Sequence, residues 1–368
     1  MKQDEYYMRF AIELAKAGIG QTSPNPVVGA VVVKNGEIVG FGAHLKAGEP
    51  HAEVHALRMA GEKAKDATVY VTLEPCSHYG KTPPCADLLI ETGVKRVIIA
   101  TTDPNPLVAG KGIAKLRQAG IEVDVGILKQ EADELNQVFF HYIATKTPFV
   151  TLKYASSLDG KIATKTGESK WITSEAARRD VHRHRQLHDA ILVGVNTVIA
   201  DNPSLTVRHV KGAKNPIRII LDTHLRTPLD ANVVNDGEVE TWIVVGSMVK
   251  EEKMAQYSGK HVRIIKMNQP KIVIDELLKV LGEKQITSLF VEGGAEVHGS
   301  FIEAKAVNQV IAYIAPKVIG GKDAPAPIGG SGFAQMADVM NLKIKSVETI
   351  GPDLKIVALP ITDEKDEE

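Results

Sequence analysis

The 368-residue chain has only two cysteines, two tryptophans and 5% aromatic residues, and its net charge is −1. Each scarcity excludes something. Two cysteines, Cys76 and Cys85, cannot make the disulfide framework of a small secreted scaffold. A near-neutral balance gives no sign of a nucleic-acid surface or of a polybasic membrane patch. No apolar run approaches a membrane span, and the N-terminus, MKQDEYYMRFAIEL, lacks a signal-peptide core; a cytoplasmic protein is expected. There is no G-x-G-x-x-G, so a Rossmann fingerprint is absent. An apolar fraction of 44% with 24% charged residues is ordinary for a globular chain, and the length favours two domains.

What is present concentrates between residues 51 and 85, which read HAE at 51–53 and EPCSHYGKTPPC at 74–85. His51, Cys76 and Cys85 are the borderline and soft ligands that suit zinc, and three of them leave the fourth tetrahedral position open to water. Glu53, two residues from His51, is placed to carry protons beside that water. A disulfide between the cysteines is the competing reading. Zinc nucleobase deaminases share a known pattern, H-x-E followed by P-C-x-x-C, which this stretch matches with one departure. Eight residues rather than two separate the cysteines. The longer loop carries Ser77, His78, Lys81 and Thr82, which suit a polar, phosphorylated ligand. His55 shares a helix face with His51, but H-A-E-V-H is not the H-E-x-x-H of a two-histidine zinc helix, so His55 reads as structural.

Periodicity places helices at 4–17, from 51 to about 61, and from 85 to about 93. Strands are expected at 27–33 and 38–41, turned by Asn35-Gly36, and at 68–73 and 96–100. Alternating strands and helices predict a three-layer α/β domain. The polar link ending at Pro148 sets the expected boundaries: residues 1–147, residues 148–361 and an acidic tail, 362–368. In the second part, strands are expected at 149–155, 190–194, 218–221, 241–245 and 288–292, with a helix starting within Thr173-Ser174-Glu175 and running to about 187. Glu292 runs into Gly293-Gly294 and then a helix from about 297. Strand, glycines and helix start can cradle a phosphate, although a glycine pair alone is more often a tight turn.

Several longer motifs, from Thr22-Ser23-Pro24-Asn25-Pro26-Val27-Val28-Gly29-Ala30 through HAEVHA, TLEPCSHYGKTPPC, DPNP, SLDGKIA, SKWITS and ADNPSLTVR to VEGG, occur in order from about residue 5 to about residue 360. Through them the chain resembles the bifunctional deaminase–reductase family of riboflavin biosynthesis. The resemblance implies a cytidine-deaminase-like N-terminal domain and a dihydrofolate-reductase-like C-terminal domain. It implies one zinc per chain and NADPH as cofactors, and small phosphorylated pyrimidines as substrates. Asn25, His44, His78 and Lys81 would help hold the deaminase substrate. Ala155, Trp171, Thr197, Asp201, Thr223 and Gly294 would face NADPH. Ser169, Arg185, Leu205, Arg208 and Glu292 would face the sugar phosphate, and Lys153 and Asp201 would serve the reduction. No nucleic acid or membrane partner is expected, and a homo-oligomer, dimer or tetramer, is.

Two rivals compete with this reading. One is a tRNA or free-base deaminase with an unrelated appended domain, which neutral charge disfavours. The other is a non-catalytic protein with a structural zinc, which would need a fourth protein ligand and would leave Glu53 without a role.

Overall fold

A computed structural model describes residues 2–77, 83–105, 108–210, 212–259 and 261–361. The chain divides into two compact units, Met1–Lys146 and Thr147–Glu368.

In the first unit the order is α1 (Lys2–Lys16), β1 (Gly29–Lys34), β2 (Glu37–Ala43), α2 (Ala52–Ala60), β3 (Thr68–Leu73), α3 (Cys85–Thr92), β4 (Arg96–Thr101), α4 (Lys111–Gln118), β5 (Glu122–Val125), α5 (Lys129–Leu135) and α6 (Gln137–Thr145). The five strands form one sheet in the order β2-β1-β3-β4-β5. The Asn35-Gly36 turn makes β1 and β2 an antiparallel hairpin, whereas β3, β4 and β5 run parallel because helices connect them. Strand side chains alternate between two cores. Ala30, Val32, Val69, Val71, Val97 and Ile99 pack under Ala56, Leu57, Leu89 and Leu116 of α2, α3 and α4. Val31, Val33, Tyr70 and Ile98 face Met8, Ala11 and Ile12 of α1 and Ala132 of α5. Burial on both sides explains why these strands read as continuous apolar runs, and it makes the three layers.

The second unit contains β6 (Phe149–Ser157), α7 (Glu175–Leu187), β7 (Ala190–Gly194), α8 (Val195–Asp201), β8 (Ile217–Leu221), α9 (Asn232–Asn235), β9 (Thr241–Val245), α10 (Glu251–Ala255), β10 (Val262–Lys266), α11 (Ile274–Glu283), β11 (Ser288–Gly293), α12 (Ala295–Glu303), β12 (Gln309–Ala315), β13 (Leu342–Ile350) and β14 (Asp353–Pro360). Its nine-stranded sheet runs β10-β9-β8-β7-β11-β6-β12-β14-β13. All neighbours from β10 to β12 are parallel; β14 pairs antiparallel with β12 and β13. Leu277 and Leu281 of α11 and Phe301 of α12 cover one face, with Leu152, Leu192, Ile219 and Val291 beneath. Val198 of α8 and Val233 and Val234 of α9 cover Ile191, Val193, Ile220 and Ile243 opposite. Ala177 and Val181 of α7 lie against Phe290, Ile311 and Tyr313. Within the expected start Thr173-Ser174-Glu175, Ser174 is the residue that caps α7, its hydroxyl accepting from Ala177 N. Beside Gly293-Gly294 the helix begins at Ala295, two residues earlier than periodicity suggests. Gly294, at φ +80°, turns the chain directly off the strand.

Candidate active sites

In the first unit two helix starts bring the cysteines and His51 together. His51 is the last extended residue before α2, and Cys85 is the first residue of α3. Cys85 N donates to Cys76 Sγ at 3.3 Å, so a helix N-terminus stabilises that sulfur as thiolate. His51 Nδ1 lies 3.3 Å from Cys85 Sγ and 3.7 Å from Cys76 Sγ. The three ligand atoms lie within 4.8 Å of one another. Ligands at tetrahedral zinc, with Zn–S about 2.3 Å and Zn–N about 2.0–2.1 Å, should sit about 3.5–3.8 Å apart. The donor set and its spacing therefore fit zinc. Both cysteines are free rather than disulfide-bonded. Without metal they share a proton: the Cys85 S–H holds Cys76 down to about 4, and that same bond raises Cys85.

Glu53, in the first turn of α2, is only 3% exposed. Burial, with the Cys76 thiolate adding to it, pushes its carboxyl up to about 7; a bound zinc would act in the opposite direction. His44 is 2% exposed, and its ring meets that of His51 edge-on at 5.4 Å. A carbonyl only accepts, so His44 Nδ1 donates to Pro50 O at 3.2 Å, leaving Nε2 to face Asn25 Nδ2 at 3.4 Å. Asn25, His44 and His51 thus form one chain of contacts. His55 stands outside the ligand group, beside the β2 backbone, where a Cβ on Gly42 would meet its Cβ at 2.5 Å. His78 and Lys81 lie outside the described residues.

Two supports of this site escaped the sequence reading. Glu74 is 3% exposed and accepts backbone N–H from Gly110 (2.9 Å), Gly112 (3.0 Å), Ile113 (3.2 Å) and Asp103 (3.4 Å). It caps α4 and ties that helix to the chain just before Cys76. The approach is so close that a Cβ on Gly112 would lie 2.1 Å from Pro75 O. Asn136 brackets Val27, accepting from its N and donating to its O, both at 2.9 Å, which fixes the segment carrying Asn25.

In the second unit a cleft of about 320 Å³ opens at the carboxyl ends of β7, β8 and β11, facing the N-termini of α8 and α12. Strand order changes direction there, the usual ligand position in an open parallel sheet. Thr197, Thr223 and Gly294 line it together. A Cβ on Gly293 would sit 2.6 Å from Val193 Cα, so glycine is obligatory at this wall. Glycine walls and two helix starts fit the pyrophosphate of a dinucleotide.

Glu292, directly before the cleft, is held by Arg185 through Nε–Oε1 (2.5 Å) and Nη2–Oε2 (2.9 Å), with Lys153 Nζ 3.9 Å from Oε2. Burial opposes charge on Glu292, but Arg185 and Lys153 outweigh it and keep the carboxyl at about 2. Burial lowers the pKa of Lys153, and Glu292 pulls the other way. Lys153 also lies over the ring of Tyr313 at 5.9 Å. Tyr313 donates to Asp180 at 2.7 Å, and Lys355 pairs with the same carboxylate at 2.8 Å. Tyr313, Asp180 and Lys355 carried no sequence motif. Leu205 is buried and Arg208 exposed on one loop after α8.

Other candidates lie apart from the cleft lining. Ala155 pairs with Tyr313 across β6 and β12. Trp171 is 63% exposed, with the Arg178 guanidinium stacked 4.3 Å from its ring centre. Ser169 is half-buried two residues earlier. Asp201, at the end of α8, pairs with Lys170 at 3.4 Å.

Fold and sites define a two-domain enzyme, a zinc-type deaminase joined to a dinucleotide-type reductase. Residues 1–101 match the family model of the cytidine and deoxycytidylate deaminase zinc-binding region, and residues 148–356 match that of the RibD C-terminal domain. The chain belongs to the RibD family, the bifunctional deaminase–reductases of riboflavin biosynthesis, with zinc and NADPH as cofactors. It is 55% identical over 357 residues to riboflavin biosynthesis protein RibD of Bacillus amyloliquefaciens, covering 97% of this chain and 96% of that one. To RibD of Escherichia coli K12 it is 46% identical, covering 96% and 98%. Among solved structures, one form of Acinetobacter baumannii RibD superposes with a TM-score of 0.86 at 41% identity, covering 98% of this chain and 99% of that chain. The diaminohydroxyphosphoribosylaminopyrimidine deaminase/5-amino-6-(5-phosphoribosylamino)uracil reductase of Thermotoga maritima gives 0.86 at 40%, with the same coverage. The RibD-type second half disfavours a tRNA deaminase with an unrelated appendage. Among the described residues no helix is long and apolar enough to cross a membrane.

Proposed function

We propose that the first domain, residues 1–147, hydrolyses the 2-amino group of 2,5-diamino-6-ribosylamino-4(3H)-pyrimidinone 5′-phosphate. The second, residues 148–361, then reduces the ribosyl group of 5-amino-6-(5-phosphoribosylamino)uracil to ribityl. The observation that carries the reading is the His51, Cys76 and Cys85 group with a buried carboxyl, Glu53, beside it. Those three residues would hold zinc, which would supply the Lewis acid that makes water nucleophilic at neutral pH. Glu53 would carry two protons in turn, the first from the water to the ring nitrogen and the second from the resulting hydroxyl to the departing amine, as the C–N bond breaks and the carbonyl forms. Its buried position, which raises its pKa towards neutrality, suits a carboxyl that must both accept and donate. Asn25 and His44, with His78 and Lys81 of the ligand loop, hold the substrate.

In the second domain NADPH would supply the two electrons of the reduction as hydride. Thr197, Thr223 and Gly294 hold it in the cleft, with Ala155, Trp171 and Asp201 at its outer reaches. Reduction at C1′ requires the ribose ring to open. The Lys153 cation and the Asp201 carboxyl favour that form by acting on the sugar oxygens. Glu292 orients the ribose, while Ser169, Arg185, Leu205 and Arg208 belong to the phosphate end. The largely exposed edge strand β13 supports a homo-oligomer, dimer or tetramer, and the enzyme is placed in the cytoplasm. Cys76→Ser tests the division of labour: zinc content and ammonia release should fall together, while NADPH oxidation on deaminated substrate continues. Stoichiometric zinc with full ammonia release would sink the ligand assignment.

A further inference from the structure

Three consecutive residues after α8 have their main chain taken by side chains from elsewhere. Arg185 Nη1 donates to Thr206 O at 3.0 Å. Val207 N donates to Asn215 Oδ1 at 2.8 Å, and Arg208 N donates to His182 Nδ1 at 3.0 Å. The gripped segment is flanked by residues in an uncommon conformation. Leu205 and His209, on either side, have φ of +53° and +69°, left-handed values that cost energy for a bulky non-glycine residue. Such strain persists only where surrounding contacts impose it. Arg208 itself is exposed, so what the clamp controls is the direction in which its side chain leaves the loop.

We propose that His182 is a positioning residue of the reductase site: as a neutral acceptor for Arg208 N, it preorganises the loop so that Arg208 meets the 5′-phosphate of the substrate. The inference rests on the assignment of Arg208 to that phosphate. His182 is 6% exposed on α7, one turn before Arg185. An amide N–H can only donate, so His182 Nδ1 must be bare and its proton must sit on Nε2. The surroundings enforce this state. Burial, with the Arg185 and Arg208 charges, pushes His182 down to about 4, His209 acting in the same direction and Glu292 opposing. The ring of His209 meets that of His182 edge-on at 5.4 Å. A histidine with no acid–base part in the reduction is thus kept uncharged beside two arginines, which suits a fixed acceptor and not a proton carrier.

The test uses the full-length enzyme with NADPH and two substrates, 5-amino-6-(5-phosphoribosylamino)uracil and its dephosphorylated counterpart. His182→Leu removes the acceptor and His182→Asn restores one, because Asn Oδ1 takes the place of His Nδ1. With the phosphorylated substrate His182→Leu should raise KM about tenfold, the size of one buried hydrogen bond, and change kcat less than about twofold. His182→Asn should stay within about threefold of the parent. With the dephosphorylated substrate neither change should matter, because the phosphate contact is already gone. Arg208→Ala separates the premise from the inference. If it leaves KM for the phosphorylated substrate unchanged, the phosphate assignment itself fails. If it raises that KM while His182→Leu does not, the positioning role is overturned. Equal losses on both substrates would also overturn it, as a general packing effect. Should His182→Leu not fold, Asn215→Leu, which removes the neighbouring grip on Val207 N, carries the same expectation and the same refutation.

Discussion

Replacing Glu292 by Gln removes one negative charge from a buried site that also holds two cations. Arg185 and Glu292 are 13% and 9% exposed at their side chains. Gln can accept one hydrogen bond from the guanidinium but cannot neutralise it. Lys153 escapes part of the cost by releasing its proton, since burial already lowers its pKa; arginine cannot. Two routes give the magnitude. Removing one partner of a buried ion pair typically costs about 3–5 kcal/mol. Independently, the Glu292 carboxyl falls from 4.5 to about 2 on folding, which at about 1.4 kcal/mol per pH unit is about 3 kcal/mol. A carboxyl depressed by folding stabilises above its unfolded pKa. The contribution should therefore be complete at pH 7 and disappear as pH falls from about 4.5 towards 2. The assay is built into the sequence: both tryptophans, Trp171 and Trp242, lie in the second unit, and Trp242 is 3% exposed. Urea unfolding followed by tryptophan fluorescence reports that unit alone, although the whole chain is not a two-state system. Glu292→Gln should lose about 3 kcal/mol by this signal at pH 7. Glu292→Leu with Arg185→Met, which replaces the pair by apolar groups, should cost less than Glu292→Gln alone. A loss under about 1 kcal/mol for Glu292→Gln would refute the view that this carboxylate compensates buried charge.

Glu53→Gln should retain zinc and bind substrate but lose about 10²–10⁴-fold in ammonia release; loss of zinc by metal analysis would instead make Glu53 a ligand. Lys153→Met should abolish most NADPH oxidation while NADPH still binds, measured by quenching of nucleotide fluorescence; undiminished turnover would remove Lys153 from the reduction. Glu74→Leu strands four backbone N–H groups, and should cost the first unit at least about 3 kcal/mol in urea unfolding followed by circular dichroism, with weaker zinc retention as a consequence. A change within about 0.5 kcal/mol would show that water replaces the cap.

Local chemistry made much of this protein legible in its sequence. His51 and Glu53 sit two apart at a helix start, and Cys85 begins the next helix, so spacing alone announced a metal site with a proton carrier. Asn35-Gly36 named its hairpin, and apolar runs between helical segments named a covered parallel sheet. Gly293-Gly294 marked a strand-to-helix turn fit for phosphate, although only the fold placed Thr197 and Thr223 across from it. Remote pairings were not legible, because hydrogen bonds between distant residues leave no periodicity. Glu74 follows a strand with no role marked in the sequence, and only the fold sets the start of α4 on its carboxylate. Arg185 was expected at the sugar phosphate, and its partner Glu292, 107 residues later, appears only once β11 brings that carboxylate into its fork. Asp180, Tyr313 and Lys355 meet only because β12 and β14 pair beside α7. His182 had no signal at all: its role exists only where a strained loop turns the amide of Arg208 towards it. The sequence determined which chemical groups the protein carries and the local elements that bear them. The tertiary structure decided which of those groups are buried together, and burial is what gives a carboxylate, an amine or an imidazole its working charge.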